Sequence, residues 1–427
     1  MRIAIIGGGI SGLVAGYRLH KDHEVTLFEA NDYIGGHTNT IDVFENDRKI
    51  PVDTGFIVFN DRTYPNFIEL LNELGVESQP TRMSFSVSCA KTGLEYRGAD
   101  FGGLFAQRKN IVSPKFWRLL LDIIKFNKLG HQLLESDSPN ESVGEFFKRH
   151  RFSQQFINQY FLPMGAAIWS ASFDTFQAFP IQFIAEFYKN HGLLGVTDRP
   201  QWRVIKGGSK SYIEPLTRGW FDRIQLNSRV TRIQRGKDFV SICSESKEPR
   251  LFDHVIFACH SDQALAILGS SANKTEKEVL AAFPYQKNLA ILHTQSSVMP
   301  KNKRAWACWN YYNPEHESKA ANVTYNMNIL QSLKTDNDYL VTLNDHERID
   351  SANTIKSFTY HHPTFGLDRK RMQLRHPELI NQNATSFCGA YWGNGFHEDG
   401  VKSAIAVTKA IASSVDQQPG SGVVRAQ

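Results

Sequence analysis

Cysteine is scarce and unpatterned. The 427 residues hold five, Cys89, Cys243, Cys259, Cys308 and Cys388, an odd number with no CxxC pair. That usage argues against a disulfide framework and a structural zinc site and fits a reducing compartment. Long apolar runs are missing as well: none reaches the roughly 20 residues that a membrane-spanning helix requires. No leader is expected before the first strand, because MRIAIIGGG already reads as that strand. The expected location is the cytoplasm, with peripheral contact at the inner membrane face left open. Charge of one sign is also lacking. Lys plus Arg number 48 and Asp plus Glu 43, a small excess spread over a large surface, and no nucleic-acid-binding motif accompanies it. No metal site is expected. His361 and His362 are adjacent on a strand-like run, so they point opposite ways and read as structural.

What is present is a globular composition, 41% hydrophobic and 12% aromatic, on a chain too long for one ordinary core. RIAIIGGGISGLVAGYRL reads as strand, tight turn and helix, with Gly7, Gly9 and Gly12 in the G-x-G-x-x-G pattern. Such a turn lets a diphosphate approach the backbone and presents the unpaired N–H groups of a helix start, here around Ile10 and Ser11. A second strand, HEVTLFEA, ends at Glu29, where a carboxylate can accept hydrogen bonds from ribose hydroxyls and would repel a 2′-phosphate. Strand, turn, helix, strand and acid fall in the order a dinucleotide fold needs.

Beyond Glu29 and Ala30 the sequence EANDYIGGHTNT adds a second glycine pair, Gly35-Gly36, then His37 and Thr38, and PVDTGFIVFN supplies Thr54, Gly55 and Phe56. Here the chain resembles the flavin-containing amine oxidase superfamily, which includes monoamine and polyamine oxidases, protoporphyrinogen oxidase and phytoene desaturases. The resemblance implies non-covalent FAD. It places Gly35 to Thr38 along the FAD pyrophosphate, with His37 where Arg is usual, and Thr54 to Phe56 near the isoalloxazine ring. It further implies that the backbone of Val230 meets the adenine and that the strand ending at Ala258 and Cys259 returns the chain to the cofactor. The last matching stretch is TSFCGAYWGNGFHEDGVKSAIAVTKAIASS. There Gly395, Phe396, Asp399, Gly400 and Val401 lead into a helix whose N-terminus is expected at the flavin, with Asp399 as its N-cap and the helix running from about Val401.

The implied fold class is α/β: a Rossmann-like FAD-binding domain of the amine oxidase type with an interleaved α+β substrate domain. Residues 1–80, 200–265 and 385–427 are assigned to the first. Residues 81–199, mainly helical, and 266–384, a mixed sheet, are assigned to the second. The helix around Phe116–Lys128 is basic and aromatic-rich and is the best candidate for surface docking.

The wording WGNGFHEDG, with DTGFIVFN, WRVIKGGS and WNYY, resembles a narrower bacterial group of FAD-dependent oxidoreductases associated with cyclopropane fatty-acid synthase-like enzymes, one of which desaturates methylated fatty-acyl chains. The reading is hydride transfer from an apolar substrate, such as a methylated acyl chain, to flavin N5. The alternatives are an amine oxidase, a carotenoid or isoprenoid desaturase or isomerase, and a non-catalytic flavin-binding protein. An amine oxidase would need an aromatic cage, for which Trp306 or Trp309 with Trp392 are candidates. No catalytic base is fixed; Lys287, Tyr391 and His397 are candidates. The expected partner is an apolar small molecule or acyl lipid. Self-association is compatible with the sequence, and nucleic acid is not expected.

Overall fold

In a computed structural model, the protein is described for residues 1–98, 100–135, 141–169, 173–195, 199–236, 239–245, 248–315 and 322–416. Residues 417–427, the end of the last segment assigned to FAD binding, lie outside the described residues.

The first strand, Arg2–Ile6, is the middle of a five-stranded parallel sheet in the order Ile224–Gln225, Glu24–Phe28, Arg2–Ile6, His254–Phe257, Thr385–Phe387. Its apolar run has no polar alternation because both faces are buried. Ile3 and Ile5 point to one side, where the helices Ile10–Leu19 and His397–Asp416 pack through Leu13, Val14, Val407 and Ile411. Ala4 and Ile6 point to the other, against the three-stranded sheet of Val230–Arg235, Val240–Ser244 and Arg250–Phe252, through Ile233, Val240 and Ile242. Two segments separated by most of the chain thus meet on one small sheet.

A second, seven-stranded sheet runs Thr354–Pro363, Tyr285–His293, Leu340–Leu343, Val323–Asn326, Trp309–Asn313, Phe85–Cys89, Leu94–Arg97. Its last two strands come from the stretch expected to be mainly helical. Phe85, Val87 and Cys89 are buried on the sheet, and Phe85–Cys89 lies parallel to Trp309–Asn313, pairing Phe85 with Trp309. Beta pairing with a partner more than 200 residues away overrides the helical trend of the neighbouring sequence. The rest of that stretch is helical: Pro114–Glu135, Val143–Arg149, Leu162–Trp169 and Ile181–Asn190 surround a phenylalanine-rich core centred on Phe126, Phe147, Phe156 and Phe161. No helix of the described residues is long and apolar enough to cross a membrane.

Candidate active site

The glycine turn is held by backbone and by one carboxylate. Gly7 has φ +108°, and a Cβ there would press on the Ala258 carbonyl at 2.9 Å. A Cβ on Gly12 would run into the Gly7 carbonyl oxygen, so this glycine lets the helix close on the turn. Glu29 accepts the Gly8 N–H at 2.7 Å and the Asn31 N–H at 2.8 Å, anchoring the turn to the end of the second strand. The helix Ile10–Leu19 begins with no side-chain cap and no acid in its first turn. Its positive end therefore stays uncompensated, and Ile10 and Ser11 line a cavity. A Cβ on Gly9 would meet open space. The second glycine pair closes over this turn: Gly35 donates its N–H to the Gly8 carbonyl at 2.8 Å. His37 follows. Its Nε2 is buried and has no hydrogen-bond partner, while its ring stacks on Tyr360 at 4.9 Å. Burial holds His37 down at about 4, with His260 and His361 adding to the effect, so the ring is neutral. Open helix amides, a glycine with no side chain in the way and one unpaired imidazole nitrogen fit a diphosphate.

The cavity holds about 1090 Å³ and is continuous from this turn to a chamber walled by aromatic side chains. At the nucleotide end it also touches Glu29, Ala30, Gly36, Val230, Ala258 and Cys259. At the far end Tyr96, Trp169, Phe187, Trp202, Trp309 and Tyr325 form the walls. Trp309 and Tyr325 meet edge to face at 5.5 Å. Between the two ends lie Thr54, Gly55 and Phe56 from one side and Gly395, Phe396 and His397 from the other. Glu29 is the one carboxylate on the cavity among the described residues; Arg199, exposed, stands on its rim.

A family described as "Flavin containing amine oxidoreductase" has a sequence model that matches residues 10–298, more than half of the chain. The chain belongs to this family. Its cofactor is FAD. Protoporphyrinogen oxidase 2, chloroplastic/mitochondrial, of Arabidopsis thaliana is 27% identical over 180 residues, 41% of this chain and 34% of the relative. The match thus spans about a third of that curated relative's length. Cyclohexylamine oxidase from Brevibacterium oxydans IH-35A has the same fold, with a TM-score of 0.70 at 17% identity over 97% of this chain and 99% of that one. The CLA-producing fatty acid isomerase from P. acnes superposes with a TM-score of 0.65 at 15% identity, over 96% and 98% of the two chains.

Within this flavoprotein, five residues expected at the cofactor sit behind the cavity wall. Gly12 is the packing glycine already described. Thr38 turns inward and bonds to Tyr212 and, at 3.0 Å, to His397 Nε2. Asp399, Gly400 and Val401 are off the cavity because the C-terminal helix starts at His397, earlier than expected. Asp399 is no N-cap. It lies in the first turn, where its carboxylate accepts the N–H groups of Asn394 and Phe396 at 2.9 Å each and so folds the glycine loop back on the helix. Burial lifts that carboxyl to about 6.

The three proton-handling candidates fare differently. Lys287 is exposed on the strand Tyr285–His293 and off the cavity; its neighbour Asn288 takes the buried position and donates to His362 Nδ1 at 3.0 Å. Strand alternation sends the two side chains to opposite sides. Tyr391 lines the cavity, but its hydroxyl is buried without a partner and burial drives its pKa well up, so it keeps its proton. His397 stacks on Phe56 at 3.6 Å and burial keeps it neutral. Of the tryptophans weighed for a cage, only Trp309 reaches the cavity. Trp306 donates to the Pro300 carbonyl, and Trp392 stacks on His376 at 4.1 Å away from it.

His361 and His362, read as structural, both line the cavity. Their strand is the edge of the seven-stranded sheet and pairs with only one neighbour, Tyr285–His293. The sequence reading also missed His191. It is buried in the chamber wall, its Nδ1 lies 2.8 Å from the Phe187 carbonyl and it stacks on Phe187 at 3.8 Å. It caps the helix Ile181–Asn190, and only the convergence of distant segments brings it to a cavity.

Proposed function

We propose that this flavoenzyme dehydrogenates an apolar, chain-like substrate, and that the substrate class is a methylated unsaturated fatty-acyl lipid. The observation that carries the reading is the aromatic chamber joined to the nucleotide end in one cavity, with no carboxylate in the chamber among the described residues. Such walls suit an uncharged hydrocarbon and offer no counter-charge to an ammonium group. Arg199 on the rim suits an acidic head group. A fold shared with a protein named as a fatty acid isomerase supports the same choice.

FAD, when bound, supplies a two-electron acceptor for a substrate C–H bond. We assign roles to the residues around it. The amides at Ile10 and Ser11 and the Nε2 of His37 face the pyrophosphate. Thr54, Gly55, Gly395 and Phe396 would line the part of the cavity that takes the ring, with Phe56 and His397 stacked on one another as part of its wall. The aromatic walls exclude water and keep the reacting carbon in a fixed pose. Loss of hydride leaves a neighbouring C–H strongly acidic, so a weak base suffices for the second proton. His191 is the candidate: its Nδ1–H donates to the Phe187 carbonyl, its Nε2 lies 3.4 Å from the Thr63 hydroxyl and would have to give up that contact to take the proton, and burial keeps the ring neutral down to about 4. The flavin is held without a covalent bond. Cys259 is the one cysteine on the cavity among the described residues, and burial pushes its thiol up to about 12, which makes it a poor nucleophile.

The test is an anaerobic titration of the holoprotein with lipid containing methylated unsaturated acyl chains. Flavin bleaching with a matching new double bond by mass spectrometry is the expected result. A second reading, amine oxidation, draws on the Trp309–Tyr325 pair, whose ring faces could receive a cation. Bleaching by an amine panel and none by lipid would select it and overturn the first.

A further inference from the structure

Six of the fifteen large apolar side chains exposed among the described residues fall within one short stretch: Phe101, Ile111, Val112, Trp117, Leu121 and Ile124. Phe101 and Val112 are 82% and 81% exposed. Trp117, Leu121 and Ile124 follow helical spacing on Pro114–Glu135, so they share one outward face. The opposite face of that helix is buried through Phe116, Leu119, Phe126 and Leu133. The outward rings are fixed rather than loose. Trp117 donates its indole N–H to the Ile111 carbonyl at 2.7 Å, and Phe105 bridges Phe101 and Trp117 at ring distances of 6.1 and 5.9 Å.

Charge around this patch is mostly positive; Asp100, exposed beside Phe101, is paired with Arg97. Arg108, Lys109, Lys115, Arg118 and Lys128 are all exposed. Asp122 is the only acid between residues 101 and 128. It is buried, 3.4 Å from Arg118 Nε, and accepts the Ser153 N–H. A chain that is nearly balanced overall therefore presents a local cationic rim around an apolar centre. We propose that this face docks on the surface of an anionic phospholipid bilayer, with Trp117, Leu121 and Ile124 entering the interface and the surrounding Lys and Arg meeting lipid phosphates. Charge complementarity decides the occupant. A second copy of the same face would set like charges against one another, whereas a bilayer supplies both an apolar layer and negative charge. The inner side of the same helix leads to the cavity: Phe116 packs edge-on against Tyr96 at 5.7 Å, and Tyr96 lines the chamber. The docked face is thus one layer of side chains from the chamber. The inference stands on the patch itself and does not depend on which substrate the enzyme takes.

The test is co-sedimentation of the FAD-loaded full chain with vesicles of phosphatidylcholine alone or mixed with phosphatidylglycerol. The protein is expected to bind the mixed vesicles, to bind pure phosphatidylcholine at least about tenfold more weakly, and to release at high salt. Brominated lipid should quench tryptophan fluorescence in the parent protein and do so less in Trp117→Phe. Leu121→Glu with Ile124→Glu, and separately Lys109→Glu with Lys115→Glu, should each lower binding about tenfold or more with flavin absorbance and melting temperature unchanged. The charge-reversal pair keeps the test sharp if the first pair folds poorly. Failure to bind the anionic vesicles, binding that neither pair weakens, or a dimer that Leu121→Glu abolishes would overturn the proposal.

Discussion

The two ends of the cavity are built by different means. The nucleotide end is made of backbone: glycine turns, helix amides and one anchoring carboxylate, within the first 60 residues apart from Val230 and the Ala258–Cys259 strand end. The chamber is made of side chains, contributed by the strands Leu94–Arg97, Trp202–Ile205, Trp309–Asn313 and Val323–Asn326 and the helices Leu162–Trp169 and Ile181–Asn190. Backbone sites depend on residues that must be small or must turn, and tolerate little change. Side-chain sites depend on summed volume, which many substitutions can supply. The first end therefore defines the cofactor, and the second is free to vary with the substrate.

Breaking the backbone end should have the largest effect. Gly12→Val places a branched side chain on the Gly7 carbonyl and should abolish FAD retention, read as loss of the visible flavin band in the purified protein. Next comes the packing beneath the chamber. Phe126 is fully buried among the phenylalanines, and Phe126→Ala should cost about 3–5 kcal/mol of stability by denaturant melt while the surviving folded protein keeps its flavin spectrum. Acid should erode both ends. His191, His254 and His293 are buried and held near 4, against about 6.5 when unfolded. The unfolded chain then binds more protons, so stability is full above about 6.5 and falls as pH drops toward 4. Asp53 and Asp399, raised to about 6, act in the opposite sense between about 6 and 4. His37, His260, His362 and His376 are lowered in the same way, so buried imidazoles outnumber these two carboxyls and the net expectation is a falling melting temperature over that window; a rising one would show that the carboxyls dominate.

Smaller still is the expected effect at His37. His37→Ala removes one unpaired donor and should weaken FAD binding about tenfold, measured by titration of apoprotein, whereas His37→Arg should retain it. The smallest effect is expected at Lys287. Lys287→Met should leave the rate of flavin reduction unchanged, because the side chain is exposed and off the cavity.

The contrast also explains what could be read in advance. Gly7, Gly9, Glu29 and Gly35-Gly36 are local patterns, and the structure brings them together at one turn. Tyr96, Trp169 and His191 carry no local sign of a site; they are ordinary core residues until three distant segments converge. The start of the C-terminal helix was misplaced for a related reason. An Asp before a helical run reads as an N-cap, yet Asp399 spends its oxygens on the amides of a preceding glycine loop, a use that depends on how the loop folds back. Lys287 was a candidate because the sequence does not fix strand register, and a one-residue shift exchanges inside for outside.

The five-stranded sheet has a consequence for how this chain is made. The strand Thr385–Phe387 joins His254–Phe257, and the helix that follows it packs on the helix after the first glycine turn. The sheet and helix layer that support the glycine turn stay incomplete until nearly 400 residues beyond it have been made. The nascent chain must carry an unfinished nucleotide site, with apolar strand edges uncovered, for most of its synthesis. Flavin can therefore stabilise this fold only once the last strand and helix are in place, and late in synthesis rather than early.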